Sequence, residues 1–558
     1  MLSLDIDESR QEIKKQALLQ NLHLKYWLMF SLLLCTPKVS VAQPCSQRLL
    51  PPQFGGVAHA IVNLEEAAKW KVYKKARIEE RFQEALNPQS VYESYRLEMT
   101  EIEQGCLNLA KLIDLGRGIF LRNFTREEGY GHQLNNLPQK SRFQKGHFGG
   151  PDAGACVDCH WKGGFAGSGD RVDNTYAFGD GNDLSSAEAR NPPALWGLGW
   201  VQALAMEMNN DLLKLKQKGM EQAKQSKQEQ RIELKTKGIH FGILVISPEG
   251  HIDASELEGI DQDLIIKPFG WKGVFGTLRE FVEVSAHKHL GMQSEYLVLS
   301  PYQDVILGSG PTKLDPDQDG VTRELTEAQV LSLVSFLATL DTPKVEIPTH
   351  GKFQRPIKTG KLEFIDTPAF IERWQKGITT FERIGCAECH RPFLKLSRPI
   401  FKTSWYRINS QKIQQAQNFE IDLGKESALP HPEYQHNYRS PRQDETNGKH
   451  KYSEEWLVPV FSDFKRHKMG SYLEEKYAER GVAKDVFLTR RLWGLRKTSP
   501  YLHHGGAMTF EEAIYAHSGE GSEAKEAAEQ YITLNEDEKS SVRLFLSSLS
   551  RGPAIRIR

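Results

Sequence analysis

Cys156-Val157-Asp158-Cys159-His160 and Cys386-Ala387-Glu388-Cys389-His390 are the two stretches that decide how this chain is read. Both have the spacing C-x-x-C-H. Two thiols at this separation add to the two vinyl groups of one haem, and the adjoining histidine then lies under the iron as its fifth ligand. The competing reading is zinc, which would bring two C-x-x-C pairs to a single tetrahedral site. Here the pairs lie far apart and each carries its own trailing histidine. The pattern therefore predicts two covalently bound haem c groups, one on Cys156, Cys159 and His160, the other on Cys386, Cys389 and His390.

The flanks of the two motifs are also alike. Gly116-Arg117-Gly118-Ile119-Phe120 precedes the first and Lys376-Gly377-Ile378-Thr379-Thr380-Phe381 the second. Each reads as a short amphipathic helix entering a haem loop, so the chain is expected to be an internal duplication. With 558 residues it exceeds one hydrophobic core. The expected fold is mainly α, with two cytochrome c-like haem domains over 43–345 and 346–558. Within the first, a helix-plus-β-hairpin insertion is expected over about 201–268. Its helix would run from Val201 to about Lys235. Ile239, Phe241, Ile243 and Val245 would alternate along the first strand, before a turn at Ser247-Pro248-Glu249-Gly250. A linker is expected near 341–360.

Lys plus Arg (72) equals Asp plus Glu (72), which gives no basic footprint for a nucleic acid. At the N-terminus, Lys14, Lys15 and Lys25 precede the apolar run Tyr26 to Cys35, and Ser40-Val41-Ala42 supplies small residues for a signal peptidase. Residues 1–42 are thus expected to be a cleaved signal peptide, against a retained short anchor, and the mature chain to be periplasmic or secreted. Four of the seven cysteines lie in the motifs and Cys35 leaves with the signal. Cys45 and Cys106 remain, as a disulfide in an oxidising compartment or as two free thiols.

The segment Thr498-Ser499-Pro500-Tyr501-Leu502-His503-His504-Gly505-Gly506, followed by Thr509-Phe510-Glu511-Glu512-Ala513-Ile514, resembles the signature of the bacterial dihaem cytochrome c peroxidases. That superfamily includes the MauG-type enzymes, larger dihaem oxidoreductases and rubber oxygenases. Arg190-Asn191-Pro192-Pro193-Ala194-Leu195 is similar to the family's segment after the first haem. In the peroxidases, a Met fourteen positions beyond the signature His is the sixth ligand of the electron-transfer haem. In this chain that position is His517. The resemblance implies a second haem ligated by His390 and His517, at lower potential than a His/Met centre. The alternatives are a surface His517 and ligation by Met469.

The first haem is by the same resemblance the reactive one. No histidine lies between His160 and His240, so a distal group near the first motif is missing. His287 and His289 are candidates for a distal acid or base, or are ordinary helix-surface residues. Glu207 is the candidate carboxylate for assisting cleavage of an O–O bond. Trp196 and Trp200 are candidates for an inter-haem bridge, or core packing.

Asp315, Asp317 and Asp319, with Gly320, are similar to half of a calcium loop. Thr326 stands where the closing carboxylate belongs, with Glu324 and Glu327 beside it. The choice there is between calcium and a solvated acidic turn. Functionally, the residues and the resemblance lead to a peroxidase-like oxidoreductase. It would take electrons from a small donor protein or a quinol-linked donor and pass them to peroxide or oxygen. A haem-dependent oxygenase and a non-catalytic electron carrier are the alternatives. Haem stain is expected to travel with the polypeptide on a denaturing gel. Substituting Cys386→Ala together with Cys389→Ala should halve the pyridine haemochrome absorbance; full absorbance in that variant would refute the assignment.

Overall fold

The computed structural model describes residues 95–549, apart from 132–142, 145–146, 149–152, 179–182, 301–313, 318, 341, 343–351, 357–361, 410–411, 426–438 and 443–450. The expected signal peptide, Cys45 and most of the expected linker lie outside the described residues. The helices that matter for the haem motifs are α1 (Leu109–Leu121), α2 (Cys156–Cys159), α3 (Leu198–Ser226), α4 (Leu278–Ser285) and α5 (Glu327–Ala338). In the second half they are α6 (Thr367–Arg383), α7 (Cys386–Cys389), α8 (Phe510–Ala516), α9 (Lys525–Thr533) and α10 (Glu536–Ser548).

One packing unit is built twice. α1 crosses α5 at Gly116, where a β-carbon would collide with the Ser332 carbonyl and lie 2.8 Å from Cβ of Phe336. α6 crosses α10 at Gly377, where it would collide with the Ser541 carbonyl and lie 2.9 Å from Cβ of Phe545. In each half a phenylalanine one turn later fills the crossing and touches the haem-motif histidine. Phe120 lies 5.5 Å from Phe336 and 6.5 Å from His160. Phe381 lies 5.3 Å from Phe545 and 6.5 Å from His390. Glycine is required because only a bare backbone lets two helix axes approach this closely.

The halves are joined by a second exchange. Trp196 packs over Gly494, while Trp493 lies where a Gly197 β-carbon would be, with its ring carbon at 2.6 Å. Both glycines are left-handed, at φ 67° and 73°, so a side chain there would be strained as well as blocked. Among the described residues, the largest apolar core accordingly runs from Tyr95 to Trp493 across both halves.

After α3 the chain forms a three-stranded antiparallel sheet, β1 (Gln230–Thr236), β2 (Ile239–Ile246) and β3 (Ile252–Leu257), in the order β1-β2-β3. Two local expectations need correction. The helix stops at Ser226, with Lys227 at φ 54°. Residues 230–236 are instead a strand, because Ile232, Leu234 and Thr236 alternate, and Ile232 packs against Gly219 of α3. The alternation along β2 also changes phase. Ile239 and Phe241 are buried, but so are Leu244 and Ile246, while Ile243 and Val245 are half-buried. Gly242 at φ 88° carries the change, and the β2–β3 register shifts between Ile243 and Val245. A further hairpin, β4 (Ile400–Asn409) with β5 (Lys412–Asp422), was not expected from the sequence.

α4 is fixed by a buried ion network. Arg279 donates to both carboxylate oxygens of Glu327 at 2.6 Å and to Glu283 at 2.9 Å. Its guanidinium lies 5.2 and 5.0 Å from the ring centres of Tyr296 and Tyr406, which are themselves stacked at 4.1 Å. Glu283 also accepts from Ser294 Oγ at 2.8 Å. Residues 283 and 294 therefore bracket a π-helical turn, Ala286–Leu290, that carries His287 and His289. Substituting Arg279→Leu leaves two carboxylates buried without their cation. It should lower unfolding free energy by about 3–5 kcal/mol in urea titrations, and the compensated variant with Glu283→Gln and Glu327→Gln should regain most of that loss.

Candidate functional site

At the first motif, α2 is one short turn. Asp158 stabilises its start by accepting from the backbone of Gly154 and Ala155, both at 3.0 Å. His160 follows as the residue that ends the turn, and its Nδ1 donates to the Gly167 carbonyl at 3.3 Å. That bond leaves Nε2 as the nitrogen with a lone pair for a metal. Burial, followed by the charge of His289, brings the pKa of His160 down to about 4, so the ring is neutral as a ligand must be. Burial pushes the Cys156 thiol up to about 12. A redox C-x-x-C needs the opposite shift, which speaks against a dithiol role.

His289 is thus brought to the first motif from the π-helical turn. Its carbonyl accepts from Ala153 at 3.3 Å, three residues before Cys156, and the Leu290 carbonyl accepts from Gly131 at 3.1 Å. His287, on the same turn, is fully buried. π-helical turns inside helices commonly mark functional positions.

The second motif repeats the arrangement and adds a partner across a cavity. His390 Nδ1 donates to the Phe461 carbonyl at 3.1 Å. α8 begins with a capping box, in which Thr509 accepts from Glu512 N and the Glu512 carboxylate accepts from Thr509 N, both at 3.1 Å. The helix ends at His517, whose Nδ1 donates to the Ala513 carbonyl at 2.7 Å. His390 and His517 both line one cavity of about 460 Å³, together with Cys386 and Cys389. Burial, then the charge of His517, lowers His390 to about 4; burial also lowers His517. Two neutral imidazoles, each with Nδ1 already engaged, are a donor set that fits an iron between them. Met469 lines the same cavity.

Other sequence-predicted residues fall elsewhere. Glu207 on α3 is bound by Lys237 Nζ at 2.5 Å and accepts from Ser397 N and Oγ at 2.9 and 2.8 Å. None of these partners belongs to a C-x-x-C-H motif, and the carboxylate ties α3 to the sheet and to the Ser397 loop. Trp196 donates to the Phe165 carbonyl in the first haem loop at 2.8 Å, whereas Trp200 packs on Trp456 at 5.6 Å. Asp315, Asp317 and Asp319 gather within 4.8 Å of one another. Glu324 faces them, raised well above its usual range by burial and then by Asp317. Glu327 turns away to Arg279.

Several residues escaped sequence reasoning. Trp493 had a signal, since Leu195-Trp196-Gly197-Leu198 and Leu492-Trp493-Gly494-Leu495 are the same tetrapeptide. His467 lies in the second cavity between Asp463 at 2.8 Å and Glu523 at 2.7 Å. Burial pulls its pKa down, but bonds to Asp463, Cys389 and Glu523 outweigh that and push it up to about 12. Its Asp463 partner at i−4 was visible in the sequence but reads equally as a surface pair. Cys106 is disulfide-bonded. Cys45, its expected partner, lies outside the described residues.

No curated protein matches the chain. Residues 447–549 match the family described as "di-haem oxidoreductase, putative peroxidase". The matched segment contains Arg490, Trp493, the His503 signature and His517. That segment lines part of the second cavity, and over it the chain is similar to the di-haem oxidoreductases.

Proposed function

We propose that the protein is an exported dihaem c-type cytochrome working as a peroxidase-type oxidoreductase, in which the second haem accepts electrons and the first meets peroxide. The observation that carries this reading is the inequality of the two centres. His390 faces His517 across a cavity, whereas beside His160 the nearby ring is His289 on a π-helical turn. When bound, the two haems supply iron that exchanges single electrons at one centre and reduces peroxide at the other. His390 and His517 hold the second group rigidly, because both Nδ1 atoms are fixed to backbone carbonyls.

Trp493, at the second cavity, and Trp196, bonded to the first haem loop, each pack on the glycine that follows the other and form the bridge in this reading. His289 is the residue placed to exchange a proton with a small molecule at the first centre. Glu207, engaged by Lys237 and Ser397, holds the insertion in place. The Cys106 disulfide supports a periplasmic or secreted location. The reading also includes calcium at Asp315, Asp317 and Asp319, supported by Glu324 turning toward them. The electron donor is taken to be a small protein or a quinol-linked carrier.

Electron paramagnetic resonance of the ferric protein tests the proposal. One bis-His low-spin signal is expected, together with a second signal that peroxide consumes. Two low-spin signals unmoved by peroxide would leave only an electron carrier. The substitution His289→Ala should lower kcat/KM for peroxide by about 10²–10⁴-fold without altering the low-spin signal. Replacing His517→Met should raise the midpoint potential of the second haem; an unchanged potential would remove His517 from the ligand set.

A further inference from the structure

We propose that Arg490 and Arg491 form a guanidinium pair that receives the propionate carboxylates of the haem carried by Cys386, Cys389 and His390. The inference rests on the reading of the second motif as a haem site.

Among the described residues, the other largely buried arginines come with their own anions, Arg117 with Asp114 at 2.9 Å among them. Arg122 is matched to Glu128, with Nη1 to Oε2 at 2.8 Å. Arg279 is matched to Glu283 and Glu327, and Arg190 to Glu475 and Glu479 at 2.8 and 3.2 Å. Arg490 and Arg491 break this rule. They are adjacent in sequence, both line the cavity that contains Cys386, Cys389 and His390, and no carboxylate among the described residues pairs with either.

What holds them is uncharged. Arg490 donates to the Gly270 carbonyl at 3.2 Å and lies 4.5 Å from the Trp271 ring centre. Arg491 lies 5.3 Å from the Trp493 ring centre, and its buried Nε has no hydrogen-bond partner. Burial lowers Arg490 to about 10; burial and then the charge of Arg490 lower Arg491. Two like charges withdrawn from water are costly until an anion joins them. A planar guanidinium is the side chain suited to grip a carboxylate bidentately. Thioether bonds and axial histidines engage the other parts of a haem, so its two propionates are the carboxylates this pair can meet. Offsetting their negative charge near the iron disfavours the ferric state and raises the potential, against the lowering effect of a bis-His ligand set.

Redox potentiometry and resonance Raman of Arg490→Gln, Arg491→Gln and the two Arg→Lys variants test this. Each Gln variant should shift the second haem toward the ferric state at least tenfold, about 59 mV for one electron. The propionate bending bands should move, the first haem should stay where it was, and the Lys variants should retain most of the potential. Gln variants with full covalent haem, unchanged potential and unchanged bands would overturn the clamp and leave the haem assignment standing. Absence of haem from the Cys386–Cys389 peptide in mass spectra would overturn both. If the Gln variants do not fold, the wild-type spectrum decides. Propionate bands of the hydrogen-bonded type support the clamp, and bands of solvent-exposed propionates overturn it.

Discussion

The close helix crossing at a glycine is the constraint on which both centres depend. At Gly116 and again at Gly377 a helix backbone lies directly on a serine carbonyl of its partner helix. Any side chain would push the pair apart. That separation would withdraw Phe120 from Phe336 and Phe381 from Phe545, and with them the ring that each phenylalanine places beside the motif histidine. Protein interiors are too densely packed to absorb such a shift locally. The histidine orientation is then completed by a backbone carbonyl, Gly167 or Phe461, which selects the same ring nitrogen for the metal in both halves. Apolar packing sets position, and one hydrogen bond sets the tautomer.

Charge is used differently on the two sides of the molecule. Around α4, Arg279 balances two buried glutamates and fixes the segment from which the π-helical turn departs. His289 therefore projects from a rigid base, although it lies more than a hundred residues after His160. In the second cavity, positive charge is less completely balanced by the protein itself. His467 has its two carboxylates, while the neighbouring arginines lean on carbonyl and aromatic groups.

The two motif loops and their approach helices were legible in the sequence because each depends on local chemistry, a thiol spacing and a glycine-to-phenylalanine interval, whereas His517 was reached only through the resemblance to the peroxidase signature. The boundary of α3 was not legible, since residues 227–235 are charged enough to pass for solvated helix. Only packing of Ile232 on Gly219 distinguishes the strand. The phase change in β2 turned on the single residue Gly242, whose effect on register appears only when β3 is in place. The partners of Glu207, Lys237 and Ser397, were hidden in the sequence for a related reason. The bond between chain length and meaning is weakest there, because both partners come from segments remote from one another.

The mutual exchange of tryptophans has a consequence for how the chain matures. The first haem loop is closed by the far end of the sequence: Asn191 N donates to His503 O at 2.7 Å, Asn174 Nδ2 donates to His504 O at 2.9 Å, and Trp493 covers Gly197. A polypeptide delivered N-terminus first has made its first C-x-x-C-H motif long before those residues exist to cover it. During that interval the first motif lacks the long-range contacts that later shut it in, which are slow to form because they span most of the chain. Assembly is therefore ordered in time by the same contacts that later bring the two centres together.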